Sequence, residues 1–350
     1  MSQTAQALVN LSNIAANWRD LDQLYASSET GAVVKANGYG HGSVQVASAL
    51  AKAGCKTFFV AYAEEGAELR ESLGPDADIY VFHGCTLETA DTFKAFALRP
   101  VLNTLDQVRV WRLAGLDEAF GAVLHFDTGM NRLGLRMEQL DDTRTMLAGG
   151  QVDIVMSHLA CAEDTSNTMN RTQLGRFLEC CGYWPNARRS LSNTAGMHLG
   201  EDFAFDLCRP GIGLYGGGVK PARPGLTLTA PLLSVFTVPK ASSTGYGATR
   251  RFATERRLAT AALGYGDGFL RSASNSGFGF VGGKRCPIVG RVSMDLVTLD
   301  VTDVKETIAP GMDVEFIGEM ASLEDQAAAA GSLGYELTTG LTGRVKKHWN

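Results

Sequence analysis

The amino-acid sequence predicts an α/β fold: a (β/α)8 barrel of the TIM type over residues 1–225, followed by a mainly β domain over residues 226–350. Three observations predict it, namely eight short apolar or β-branched runs, helical periodicity between them, and a change of texture after Leu226. The runs are Ala32–Val34, Thr57–Val60, Ile79–Phe82, Pro100–Leu102, Ala122–Phe126, Ile154–Met156, Ser190–Ser192 and Asp206–Cys208. Between them apolar residues recur at helical spacing, as at Ile14, Trp18, Leu21 and Leu24, or at Val44, Ala47, Leu50 and Ala51, with Gly54 placed to end the latter in a left-handed cap. Eight strand–helix units suit a closed parallel barrel, whose reactive residues sit where strands end. A doubly wound open sheet shows the same alternation and stays open at this point. Beyond Leu226 the β-like runs Leu226–Val238, Leu258–Leu263, Phe278–Val281, Pro287–Val292 and Val297–Val301 are separated by Gly, Pro and Ser rather than by helices.

Composition narrows the function. A chain of 350 residues holds about two domains, or one barrel with an appendage. Its 45% apolar and 20% charged residues are those of a globular protein. The net charge of −5, with no basic run longer than Arg250-Arg251 or Lys346-Lys347-His348, argues against a nucleic-acid groove and for a small-molecule partner. Seven cysteines (Cys55, Cys85, Cys161, Cys180, Cys181, Cys208, Cys286) form no C-x-x-C pair and no ligand spacing with the six histidines, so no metal is expected, and buried thiols in a reducing compartment account for them. The N-terminus has no basic start followed by an apolar stretch, and no apolar run approaches the roughly 20 residues that span a bilayer. A cytoplasmic protein without a membrane partner is expected.

The strand ends carry the candidate chemistry. Lys35 ends the first run and is followed by Ala36-Asn37-Gly38-Tyr39-Gly40-His41-Gly42, which puts an ammonium at a barrel mouth, where desolvation and nearby cations favour Schiff-base chemistry. A lysine there can equally lay its stem along the strand and point to solvent. His158, Asn193-Thr194 and Arg209 end three further runs and offer what an anionic, aromatic cofactor needs. Singly, each also reads as a structural histidine, a turn or cap, and a surface ion pair; their shared placement favours a site. Gly211-Ile212-Gly213-Leu214-Tyr215-Gly216 matches G-x-G-x-x-G, but Gly217-Gly218-Val219-Lys220-Pro221 follows it with no helix, and its place after the eighth run suits the phosphate loops of a barrel better than a dinucleotide site.

The ordered motifs Val33-Val34-Lys35-Ala36-Asn37-Gly38-Tyr39-Gly40-His41-Gly42, Asp127-Thr128-Gly129-Met130-Asn131-Arg132-Leu133-Gly134, Ser157-His158-Leu159-Ala160, Arg209-Pro210-Gly211-Ile212, Gly245-Tyr246-Gly247-Ala248-Thr249, Gly264-Tyr265-Gly266-Asp267-Gly268 and Gly290-Arg291-Val292-Ser293-Met294-Asp295 resemble those of the alanine racemases, the third fold type of pyridoxal-phosphate enzymes. The resemblance implies pyridoxal 5'-phosphate as cofactor and interconversion of L- and D-alanine, with D-alanine going to peptidoglycan. By the same resemblance Lys35 holds the cofactor covalently, Tyr39, Thr194 and the Gly211-Ile212 backbone receive its phosphate with Asn193 alongside, His158 packs near its ring, and Arg209 faces the pyridine nitrogen. An arginine there donates a hydrogen bond but no proton, which weakens the electron sink and favours racemisation over side reactions. The two bases implied are Lys35, on the face carrying the D-enantiomer's proton, and Tyr246 on the other. Arg132 and the Met294 N–H match the groups that hold the substrate carboxylate and phenolic oxygen; Tyr265 and Asp295 match the entrance. Tyr246, Tyr265, Met294 and Asp295 come from the second subunit in such enzymes, so a homodimer with shared sites is implied.

Two departures stand out. Where many relatives carry a carbamylated lysine that orients the arginine, this chain has His125, so Arg132 is expected to be oriented by Asp127, a bound anion or Asp295. Gly343 precedes Arg344-Val345 where some relatives carry a tyrosine to the phosphate. The competing readings are a racemase of broader range that includes serine, a non-catalytic pyridoxal-phosphate carrier, which would lack the second domain, and a decarboxylase of the same fold type, which would need a longer chain.

Overall fold

Backbone pairing in the computed structural model, which describes residues 4–218 and 222–350, turns the alternating runs into a parallel sheet. Seven strands pair in chain order: Ala32–Val33, Thr57–Val60, Asp78–Val81, Arg99–Leu102, Ala122–His125, Val152–Met156 and Arg188–Ser190. The short strand Leu207–Cys208 closes the ring from both sides. On one side the Asp206 and Arg209 N–H groups donate to the Arg189 and Ser192 carbonyls; on the other the Gly31 and Val33 N–H groups donate to those of Cys208 and Pro210. The fold is therefore the barrel rather than the open sheet. Eight buried side chains fill its centre, Val33, Phe59, Tyr80, Val101, Val123, Ile154, Met156 and Leu207, two of them from Val152–Met156 and none from Arg188–Ser190, as expected of a barrel interior that is a core and not a pore. Helices follow the strands where the 3.6 period placed them; Ser43–Ala53 ends at Gly54, whose φ of +117° lets its N–H reach Ala51 and Leu50 carbonyls.

Two compact units emerge, one over Ala15–Leu214 and one formed by Tyr215–Asn350 with the chain up to Ile14. The second is built on the 13-residue strand Leu226–Val238, which pairs with Gln6–Val9, Asp313–Ile317 and Arg256–Ala261. Five strands there, Gln6–Val9, Ser243–Thr244, Arg250–Arg251, Asp313–Ile317 and Lys346–Trp349, are absent from the sequence reading, and Pro287–Val292 is corrected to Lys284–Pro287. Pro287 ends that strand because it has no N–H to extend the ladder. Of the segment after Gly216, Val219-Lys220-Pro221 lies outside the described residues. No helix among the described residues is long and apolar enough to cross a membrane. All seven cysteines are free thiols, six of them buried.

Candidate active site

Lys35 follows two buried valines out of the first barrel strand, and its ammonium lies 5.8 Å from the Phe82 ring centroid. Burial lowers its pKa, and the charge of Arg132 lowers it further against the opposing pull of Glu65. A lysine so placed yields the neutral amine more readily than one in water. The chain then makes a left-handed turn: Ala36, Asn37, Gly38 and Tyr39 have φ of +51°, +53°, +61° and +52°. Three of these are not glycine, and each costs about 1 kcal/mol or more in that conformation. The turn is held by Gly38 N–H on the Val34 carbonyl at 2.8 Å, Gly40 N–H on Ala36 at 3.0 Å, and the Asn37 side-chain oxygen, which accepts from Ser43 N–H at 3.0 Å.

The turn brings the Tyr39 hydroxyl onto Gly211, where a Cβ would collide with it. Thr194 Oγ1 accepts from the N–H groups of Gly211 at 3.0 Å and Gly213 at 3.2 Å, and a Cβ on Gly213 would sit 2.6 Å from the Thr194 methyl. The glycines of the G-x-G-x-x-G string thus let two hydroxyl side chains close on the backbone that leads into the short turn Ile212–Tyr215. Asn193 Oδ1 accepts from Gly196 N–H at 2.9 Å, which fixes the same loop.

Arg209 is only 3% exposed, yet no carboxylate faces it among the described residues. Its guanidinium donates to the Ser157 carbonyl at 2.6 Å and to Ser190 Oγ. Ser157 Oγ in turn meets Thr128 Oγ1 at 2.7 Å, and fully buried Gln173 donates to that oxygen and to the His158 carbonyl. Burial pulls the Arg209 pKa down to about 10, still well above neutrality, so the buried guanidinium stays positively charged with neutral acceptors around it.

His125 ends the fifth strand with Nδ1 2.7 Å from Asn103 Oδ1. The Asn103 amide donates to the Phe82 and Val101 carbonyls, which turns its oxygen to the imidazole and makes Nδ1 the protonated nitrogen. Burial, reinforced by Arg209 and Arg132 against Asp127, holds the His125 pKa down at about 3, and His158 is pushed well below its usual value by burial and the same two arginines. Both imidazoles are neutral at pH 7. The two carboxylates expected to orient Arg132 have other partners: Asp127 accepts from Gly129 and Asn131 N–H and pairs with Arg136 at 2.7 Å, while Asp295, in the other unit, pairs with Arg344 at 2.7 Å. The buried Asp127 is engaged by its own turn and by Arg136, and Arg132 is exposed.

These histidines carry a prediction. The folded chain binds their protons more weakly than the unfolded chain does at about 6.5, so stability present above that pH is lost as pH falls toward the His125 value of about 3. One such proton contributes a slope of up to about 1.4 kcal/mol per pH unit. His125→Gln should flatten the pH dependence of urea unfolding between pH 6 and 4 by up to that amount. An unchanged slope would mean that folded His125 takes up its proton normally.

In the other unit, Tyr246 opens a turn between the strands Ser243–Thr244 and Arg250–Arg251 and is 71% exposed. Gly245, with φ +76°, packs so near Gly290 and Arg291 that a Cβ would lie 2.8 Å from the Arg291 nitrogen. Tyr265 and Met294 form a second group: Tyr265 N–H donates to the Ser293 carbonyl at 3.0 Å and Gly266 N–H to that of Met294 at 2.8 Å. Arg344 bridges Asp267 and Asp295 at 3.1 and 2.7 Å. It fixes the Tyr265 and Met294 turns together, a role the sequence reading missed when it noted only the absent tyrosine beside Gly343.

The family model described as the alanine racemase N-terminal domain matches residues 9–219, and that for the C-terminal domain matches residues 225–349. The chain is 41% identical over 347 residues to the alanine racemase of Rickettsia africae (strain ESF-5), covering 97% of this chain and 98% of the relative. Among solved structures it is similar to alanine racemase from Bartonella henselae with covalently bound pyridoxal phosphate, with a TM-score of 0.93 and 34% identity, and to biosynthetic alanine racemase from Pseudomonas aeruginosa, with a TM-score of 0.94 and 33% identity; both matches cover 100% of each chain.

Proposed function

The chain belongs to the alanine racemase family, whose members interconvert L- and D-alanine with pyridoxal 5'-phosphate, and we propose that its two acid–base groups are Lys35 and Tyr246. The observation that carries this reading is the Lys35 ammonium, lowered in pKa by burial at a barrel-strand end and by the charge of Arg132, with His158 within its electrostatic reach. The residues fit the cofactor. Tyr39 and Thr194 converge on the Gly211-Ile212 backbone beside Asn193, as a phosphate requires, and buried Arg209 is an N–H donor suited to a ring nitrogen.

Pyridoxal phosphate supplies a conjugated ring that takes up the electron pair left when the α-proton of alanine departs. Arg209 donates a hydrogen bond without giving up its proton, which limits that uptake and favours prompt return of a proton to the α-carbon. Lys35 Nζ removes or returns the proton on the face of the D-enantiomer, and the Tyr246 hydroxyl does so on the other. Arg132, which pairs with no carboxylate among the described residues, grips the substrate carboxylate, with the Met294 N–H at the same anionic groups. Tyr265 and Asp295 line the entrance. The exposure of Tyr246, Tyr265 and Met294, at 71%, 42% and 53%, suits residues that a second copy covers, so the reading includes a homodimer in which each site draws on both chains. It takes residues 1–225 as the cofactor domain and 226–350 as the domain that completes the partner's site. The free thiols suit a reducing cytoplasm, where the enzyme supplies D-alanine for peptidoglycan.

Racemisation of each common L-amino acid by the purified protein tests the reading. Alanine should be the preferred substrate, with serine, one hydroxyl larger, disfavoured by up to about a hundredfold. Equal kcat/KM for serine would make this a broader racemase, and cofactor binding without racemisation of any amino acid would leave only the carrier reading.

A further inference from the structure

Glu65 was invisible as a site residue in the sequence, where it reads as one of two acids in the first turn of the helix Ala63–Leu73. Its carboxylate does two things at once. Oε2 accepts from the N–H groups of Ala61 at 2.8 Å and Tyr62 at 3.3 Å, which caps its own helix just beyond the second barrel strand. Oε1 accepts from the Ala36 N–H at 2.7 Å, and Ala36 is the first residue of the left-handed turn after Lys35. The turn's other ties start at Gly38 and beyond, or from Asn37 to Ser43. Beside the backbone bonds of Gly38 N–H to Val34 and Gly40 N–H to Ala36, the Glu65 bond is the side-chain tie, among the described residues, at the end of the turn that leaves Lys35, and it comes from a different strand–helix unit. A run of non-glycine residues at positive φ keeps that conformation only when its surroundings over-determine it.

Resting on the cofactor reading above, we propose that Glu65 is a positioning residue: by tying Ala36 to the end of the second barrel strand it holds the left-handed turn that presents Lys35 and Tyr39 together to pyridoxal phosphate. Without the tie the helix loses one cap among several groups, but the turn loses its side-chain anchor at the lysine end and keeps only backbone bonds there. The amine and the phosphate-binding hydroxyl then sample separate positions, and the cofactor must pay to bring them back together.

The test uses full-length apoprotein titrated with pyridoxal 5'-phosphate by absorbance, alongside amide hydrogen exchange and thermal melting. Glu65→Gln keeps the shape but turns an N–H donor toward the amides; Glu65→Asp keeps the charge and a helix cap but withdraws the carboxylate from Ala36. Both should melt within a few degrees of the parent, raise the cofactor Kd by about tenfold or more, and speed exchange at amides 36 to 40. Faster exchange at residues 61 and 62 alone, with unchanged Kd, would reduce Glu65 to a helix cap and overturn the proposal. Should Glu65→Gln fail to fold, Glu65→Asp decides. The cofactor reading fails separately, if borohydride reduction of the loaded parent protein labels a lysine other than Lys35.

Discussion

Lys35→Ala is expected to lower racemisation by about 10^4-fold or more and to abolish covalent retention of pyridoxal phosphate. Both losses follow from one side chain being asked to hold the cofactor and to move the α-proton on one face. Among the described residues no other lysine stands at a barrel-strand end beside a left-handed turn, so no described neighbour can replace it. The measurement is borohydride reduction of the parent and variant proteins, followed by peptide mapping. A pyridoxyl group on the peptide containing Lys35 in the parent, and on no peptide in the variant, is the expected outcome. A labelled lysine elsewhere would contradict the assignment while leaving the fold untouched.

The second large effect is that of Tyr246→Phe. L- and D-alanine are enantiomers, so their equilibrium constant is one, and a variant that loses the base on one face must lose kcat/KM in both directions by the same factor. The expected loss is about 10^2- to 10^4-fold each way. Exchange of the α-proton with solvent distinguishes the two bases. With Lys35 intact, D-alanine should still exchange its α-proton for deuterium without inverting, whereas L-alanine should not. Equal exchange from both enantiomers would place a second competent base on the Tyr246 face.

The parts of this chain that sequence made legible are those in which side-chain pattern and backbone state agree. Several barrel strands announce themselves because they are buried on both faces and read as apolar or β-branched runs, such as Thr57–Val60, buried at all four positions, whereas Arg188–Ser190 meets the expected Ser190–Ser192 only at Ser190. Strand Gln6–Val9 did not, because four residues with one exposed leucine carry no period, and its partners Leu226–Val238 and Lys346–Trp349 lie more than 200 residues away. The candidate site divides the same way. Lys35, Arg209 and the glycines after it were legible at strand ends, whereas the left-handed turn was not, since Ala36 and Tyr39 carry no local preference for positive φ and owe it to Glu65, Ser43 and Val34. His125 illustrates a third case. Its identity raised the question of what orients Arg132, but only the geometry shows Asp127 turned to Arg136 and Asp295 to Arg344. Those pairings are choices between carboxylates and arginines that a one-dimensional pattern does not encode.

The proposed sharing of one site between Lys35 of one chain and Tyr246 of a second copy is tested directly by subunit mixing. Lys35→Ala and Tyr246→Phe homodimers each lack a base in both sites. A mixed dimer in which sites are shared has one site with both mutations and one with neither. The two inactive proteins are dissociated together, allowed to reassociate, and assayed for alanine racemisation, with the mixed species quantified by a tag on one chain. Random pairing makes about half the dimers mixed, each with one of two sites intact, so activity should recover to about a quarter of the parent's. Mixed dimers that form in that proportion and remain inactive would put Lys35 and Tyr246 of a single chain in the same site and contradict the shared-site account.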